Sequence, residues 1–143
     1  MNDKTEKQEH EEEQNFPNSH IGEMAWIDLS VPNAGEIKDF YQDVVGWQSE
    51  AVSMGDYDDY AMNSPETGEP ITGICHAKGV NSDLPATWMP YFLVADIEQS
   101  AKQVSAQGGQ LLTPIKSMGD DKYVVLKDPA GAICALYQKH KSE

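Results

Sequence analysis

Positive charge is scarce in this chain: Lys and Arg together number 10 against 24 Asp and Glu, for a net charge of −14. Such a chain repels phosphate backbones, which argues against nucleic acid as a partner. Anionic membrane surfaces are disfavoured for the same reason. No apolar run is long enough to span a bilayer, and no basic segment followed by an apolar one opens the chain, so a cytoplasmic location is expected. Cysteine is limited to Cys75 and Cys134, without CxxC spacing. Reduced thiols buried on strands are expected, not a disulfide or a redox pair. No Ser-His-Asp or Cys-His pattern stands in a positioning context, and the glycines form neither GxGxxG nor a P-loop. Catalytic residues are therefore left unassigned.

What is present suits one domain with a single core, given 143 residues. Residues 1–20 are rich in Glu, Gln, Lys and Asn and nearly devoid of apolar side chains. They read as a disordered acidic arm, because such a segment buries too little apolar surface to offset its ordering entropy. Residues 21–143 read as the folded domain, with two modules over about residues 24–79 and 88–140.

The modules repeat one pattern. Ala25, Ile27, Leu29 and Val31 alternate with Trp26, Asp28 and Ser30, the period of a strand with one aliphatic face. Asn33 and Glu36 have capping-box spacing, and Ile37, Phe40, Tyr41 and Val44 form one helix stripe that Gly46 ends. In the second module Tyr91 to Ala95 reads as the strand, Asp96 and Gln99 as the box, and Ile97, Ala101 and Val104 as the stripe, with Gly108-Gly109 as the stop. Strand-like runs follow each helix: Trp47–Met54, Tyr60–Asn63 and Ile71–Ala77, then Gln110–Ile115, Tyr123–Leu126 and Ala132–Gln138. Two β-α-β-β-β modules imply an α+β fold in which each helix covers one sheet face. Trp26, Asp28 and Tyr91 then lie on the helix-free, concave side.

The order and spacing of Phe40-Tyr41-Gln42-Asp43-Val44-Val45-Gly46-Trp47, Trp88 to Glu98, Gly108-Gly109 and Lys127 to Ala132 resemble the vicinal oxygen chelate superfamily. This is the glyoxalase, bleomycin-resistance and extradiol-dioxygenase group, and the likeness is strongest to its small single-domain glyoxalase-like branch. The resemblance implies paired βαβββ modules forming a cup-shaped mixed sheet with helices outside. It also implies a divalent metal held by His or Glu from the first and last strand of each module, and it favours a homodimer.

Counted onto this chain, those ligand positions fall on Trp26, about Gly73, Met89 and Ala135. None suits a hard or borderline divalent ion, since a thioether is a poor ligand for such metals. Asp28, Cys75 and His76 are the residues that would rescue a metal site if the register slipped. Apart from His140 near the C-terminus, His76 is the one histidine of the domain, too few for a catalytic metal. Asp56, Asp58 and Asp59 lack calcium-loop spacing and read as a solvated hairpin turn. Cys134 reads as core.

The residues expected to line a ligand site are Trp26, Asp28, Tyr60, Met89, Tyr91 and Tyr123. Pockets are mainly apolar with a few polar groups, which fits such a set. Three functions stay open. One is a glyoxalase-like protein that binds a small, partly aromatic or apolar organic molecule with no cofactor. The alternative is a divalent-metal-dependent lyase, isomerase or dioxygenase. The third is a scaffold whose cup the rings fill.

Overall fold

Period-two apolar patterning and glycine-ended helices build an α+β chain. The computed structural model describes residues 20–79 and 82–140, so the expected arm lies, except for His20, outside the described residues. The elements run β1 (Met24–Val31), α1 (Ala34–Val45), β2 (Gln48–Ser53), β3 (Asp58–Asn63), β4 (Pro70–His76), β5 (Met89–Leu93), α2 (Ile97–Ala106), β6 (Gln110–Leu111), β7 (Lys116–Met118), β8 (Asp121–Lys127) and β9 (Ile133–Gln138). They group into two compact units, Ile27–Trp88 and the remainder, with the boundary inside β1.

In the Ile27–Trp88 unit the strand order is β2-β3-β4-β1. Strands β1 and β4 pair in parallel, with Asp28 opposite Gly73 and Leu29 opposite Ile74. Side chains alternate along each strand, so Leu29, Val31, Met62 and Ile74 share one face. They form a core against Ala34, Ile37 and Tyr41 of α1. Only half of the expected helix stripe is used this way. Phe40 and Val44 are exposed, with Val45 beside them, because Ile37 and Tyr41 already fill the contact with the sheet. Gly46 adopts the left-handed conformation that stops α1, and its N–H donates to the Gln42 carbonyl.

The start of α1 differs from expectation. Asn33 takes a conformation that is not extended, and its Nδ2 donates to Glu36 Oε1 at 3.0 Å, so no capping box forms. The first helical N–H groups are met by the Asn33 backbone carbonyl instead. Asp58 and Asp59 also depart from the solvated-turn reading. Both belong to β3, and Asp59 is buried because the N–H of His76, at the end of β4, reaches its carboxylate at 2.8 Å.

The second unit has the order β5-β9-β8-β6, with β7 also on β8. The start of β1 belongs here: the Gly22 N–H donates to Leu93 O, and the Leu93 N–H to Glu23 O. Strands β5 and β9 pair in parallel, with Tyr91 opposite Ala135. Asp96 caps α2 by accepting from the Gln99 N–H at 3.1 Å. Of the expected strand Gln110–Ile115 only β6 forms, and β7 begins beyond it. Pro114 has no N–H to give a ladder, and the Thr113 hydroxyl accepts the Val125 N–H at 3.1 Å.

Gly108 carries the positive φ (+94°) that turns the chain out of α2. Gly109 has a different role. A Cβ there would lie 2.9 Å from the Lys127 carbonyl and 3.0 Å from Val104 Cγ1. Substituting Gly109→Ala should cost about 1–3 kcal/mol through overpacking. Urea unfolding checks this, and an unchanged midpoint would show that the contact between the α2 exit and β8 is loose.

Candidate functional site

The helix-free strand faces are the place to look for chemistry. In the second unit Tyr91 opposes Ala135 on β9, Val125 opposes Ala135 on β8, and Tyr123 opposes Tyr137, so all share one face with Met89 and Leu93. The Tyr91 ring stands 6.2 Å from Tyr123 and 6.4 Å from Tyr137. Met89, Tyr91, Tyr123 and Tyr137 are 3%, 6%, 5% and 1% exposed, which makes this face a packed aromatic floor rather than an open surface. Trp26 enters the same unit on the opening residues of β1.

The unit Ile27–Trp88 holds the other two expected site residues, and it separates them. Asp28 lies opposite Gly73, with Cys75 two residues further along the same face of β4. Tyr60 pairs with Ile74 and so faces α1, where Lys38 Nζ stands 4.8 Å above its ring. Gly73 lets these strands approach: an added Cβ would meet Asp28 Cβ at 3.6 Å and Cys75 Sγ at 3.8 Å. Burial pushes the Cys75 thiol well above its usual range, and the carboxylates of Asp28 and Asp59 push it further in the same direction. Such a thiol is a poor nucleophile and a poor metal ligand at neutral pH.

The register tests whether a divalent metal fits. Asp28 across from Gly73, and Tyr91 across from Ala135, put Trp26, Gly73, Met89 and Ala135, the positions counted from the family pattern, on the helix-free faces. Those positions carry indole, hydrogen, thioether and methyl. His76 alternates to the other face of β4, and its Nδ1 lies 2.9 Å from the Asp58 carbonyl. Among the described residues no three His, Cys, Asp or Glu side chains converge on a point that could hold a metal. The donor set does not fit the metal that the family resemblance implies.

Two arrangements escape sequence reasoning. Asp121 Oδ2 accepts the Tyr137 hydroxyl at 2.6 Å, and Oδ1 accepts the His140 N–H at 2.8 Å. Partial burial raises the Asp121 carboxyl, but the Tyr137 hydroxyl and the His140 backbone and ring outweigh it, and the net shift is downward. The second is an apolar groove of about 330 Å³ lined by Leu29, Val31, Ile37, Phe40, Tyr41, Ala86, Thr87 and Trp88. Trp88 Nε1 donates to Tyr41 Oη at 3.1 Å across its base. The aromatic content of Trp88 and the helix end is visible in sequence. That the connector folds back onto α1 is not, because no periodicity encodes it.

A lowered carboxyl contributes stability above its unfolded value of about 3.9 and loses it as pH falls through the folded value. Tyr137→Phe should therefore cost about 1–2 kcal/mol near neutrality, and less as pH falls and Asp121 takes up its proton. Thermal melts of both proteins from pH 2 to 7 check this; a pH-independent difference would mean that the pair is not charge-assisted.

Comparison with known proteins places this geometry. The 30% identical anthracycline biosynthesis protein DnrV of Streptomyces peucetius aligns over 131 residues, covering 82% of this chain and 47% of that protein. This chain thus spans about half the length of the curated relatives it matches. A superfamily member from Vibrio splendidus 12B01 superposes with a TM-score of 0.53 at 15% identity, covering 80% of this chain and 97% of that one. Methylmalonyl-CoA epimerase from Mycobacterium tuberculosis gives a TM-score of 0.52 at 11% identity, covering 89% and 91%. These two likenesses concern the fold alone. Residues 23–135 match the family described as the Glyoxalase/Bleomycin resistance protein/Dioxygenase superfamily, and to that superfamily this chain belongs.

Proposed function

We propose that this glyoxalase-like chain binds a small apolar or partly aromatic organic molecule on its helix-free strand faces, without a metal. The observation that supports this reading is the donor set: the positions counted from the family pattern hold Trp26, Gly73, Met89 and Ala135, and among the described residues no three His, Cys, Asp or Glu side chains converge on a point that could hold a metal. Trp26, Met89, Tyr91 and Tyr123 supply the apolar contacts. In the Ile27–Trp88 unit, taken by itself, Asp28 on the helix-free face of β1 is the polar group of this reading. Tyr60, on the α1 side, has no part in it.

The names of the matched proteins support a small-molecule role. One relative is named for anthracycline biosynthesis and one structural neighbour as a methylmalonyl-CoA epimerase. No helix among the described residues is long and apolar enough to cross a membrane, and the free thiols of Cys75 and Cys134 suit a reducing compartment. The reading places the protein in the cytoplasm, as a homodimer.

Two measurements test it. Protein purified without chelator should contain no stoichiometric nickel, zinc, iron or manganese, and EDTA should leave Tm unchanged; a stoichiometric ion would overturn the proposal. A thermal-shift panel of aromatic and apolar small molecules should yield at least one that raises Tm. A ligand at a hundredfold excess over Kd adds about 2.7 kcal/mol, and Asp28→Asn should weaken that response. No response across the panel would favour a scaffold whose rings merely fill space.

A further inference from the structure

The groove between α1 and the segment Ser82–Trp88 lies on the helix side of the sheet, opposite the face assigned above; it opens at the edge of the core and the proposed function does not use it. Its walls are rings set at right angles. Phe40 and Tyr41 have centroids 5.0 Å apart with planes at 90°, and Tyr41 and Trp88 are 5.2 Å apart at 83°. These edge-to-face contacts fix the orientation of each ring. The hydrogen bond from Trp88 Nε1 to Tyr41 Oη holds two of the walls before any ligand arrives. Its third wall, Phe40, packs edge-on against Tyr41 and is 53% exposed, so its ring is open to a ligand.

The charge around the groove has one sign. Helix α1 and the Ser82–Trp88 segment together carry Glu36, Asp39, Asp43 and Asp83 against a single lysine, Lys38. Lys38 is engaged elsewhere, 3.0 Å from Asp39 and above the Tyr60 ring. Glu36 and Asp43 stand four residues before and three after Phe40, which makes them its neighbours on the helix surface. Asp43 has no counter-cation among the described residues. Ring faces carry negative electrostatic potential and attract cations held over them. Rings and carboxylates thus select the same ligand charge, on a chain whose net charge is −14.

We propose that the groove framed by Phe40, Tyr41 and Trp88 binds a small organic cation bearing an apolar or aromatic group. The cationic head sits against the rings near Glu36 and Asp43. The apolar part lies on the floor formed by Leu29 and Val31. The groove volume of about 330 Å³ is at the small end of the range for ligand sites.

The probe is benzyltrimethylammonium, titrated against tryptophan fluorescence and by calorimetry, with benzyl alcohol and phenylacetate as neutral and anionic comparisons. The cation should bind saturably and at least tenfold more tightly than phenylacetate, and its affinity should fall as salt rises. Phe40→Ala, at an exposed position that leaves the core intact, should weaken binding roughly two- to fivefold or more. The double substitution Glu36→Gln with Asp43→Asn should weaken it similarly and flatten the salt dependence. Asp28→Asn, on the other face, should leave it unchanged, which separates this site from the one proposed above. Equal binding of cation and anion, or unaltered binding by Phe40→Ala, would overturn the proposal.

Discussion

The parallel pairing of β1 with β4, and of β5 with β9, governs this molecule. A strand has a side-chain period of two, so each register decides which residues meet a helix and which do not. Leu29 opposite Ile74 commits that row to α1, and the neighbouring row of Asp28, Gly73 and Cys75 then has to face away. Tyr91 opposite Ala135 does the same for the second unit. A slip of one residue between β1 and β4 would drive carboxylate and thiol under α1 and turn that unit's aliphatic core outward. The aliphatic row is what makes such a slip costly.

That constraint also divides the labour between the two faces of each sheet. The fold depends on the helix-side rows, and these retain Leu, Ile, Val and Met. The opposite rows are free to change chemistry as long as their polar groups find partners. Asp59 takes the His76 N–H, and Asp121 takes the Tyr137 hydroxyl and the His140 N–H. Each carboxylate sits where a strand ends and a backbone donor has run out of ladder, which is where a buried charge is least costly.

The sequence is most legible where a local rule and the tertiary structure ask for the same residue. The Ala25–Val31 alternation, the left-handed Gly46, the Asp96 cap and the Gly108-Gly109 exit are of this kind, and the family resemblance drawn from them is confirmed by the match over residues 23–135. It fails where local chemistry admits two outcomes. Asn33 has the right neighbour for a capping box but turns its amide to the Glu36 side chain. Asp58 and Asp59 look like turn residues until β4 supplies a donor. Phe40 and Val44 fall on the apolar stripe, yet Ile37 and Tyr41 leave no sheet for them to cover. The strand faces of Trp26, Asp28 and Tyr91 follow from parity and were legible; the face of Tyr60, toward α1, depends on a hairpin register that no single strand reveals.

The break between β6 and β7 reaches beyond the local geometry. Both short strands lean on β8, and between them Pro114 offers no hydrogen-bond donor. An uninterrupted strand at that border would present a continuous row of amides on which a stray extended chain could nucleate. A two-residue strand, a proline and a three-residue strand present no such row. The hydroxyl of Thr113 keeps Val125 content from within while the rim stays unreceptive, so resistance to edgewise clumping is built into this stretch.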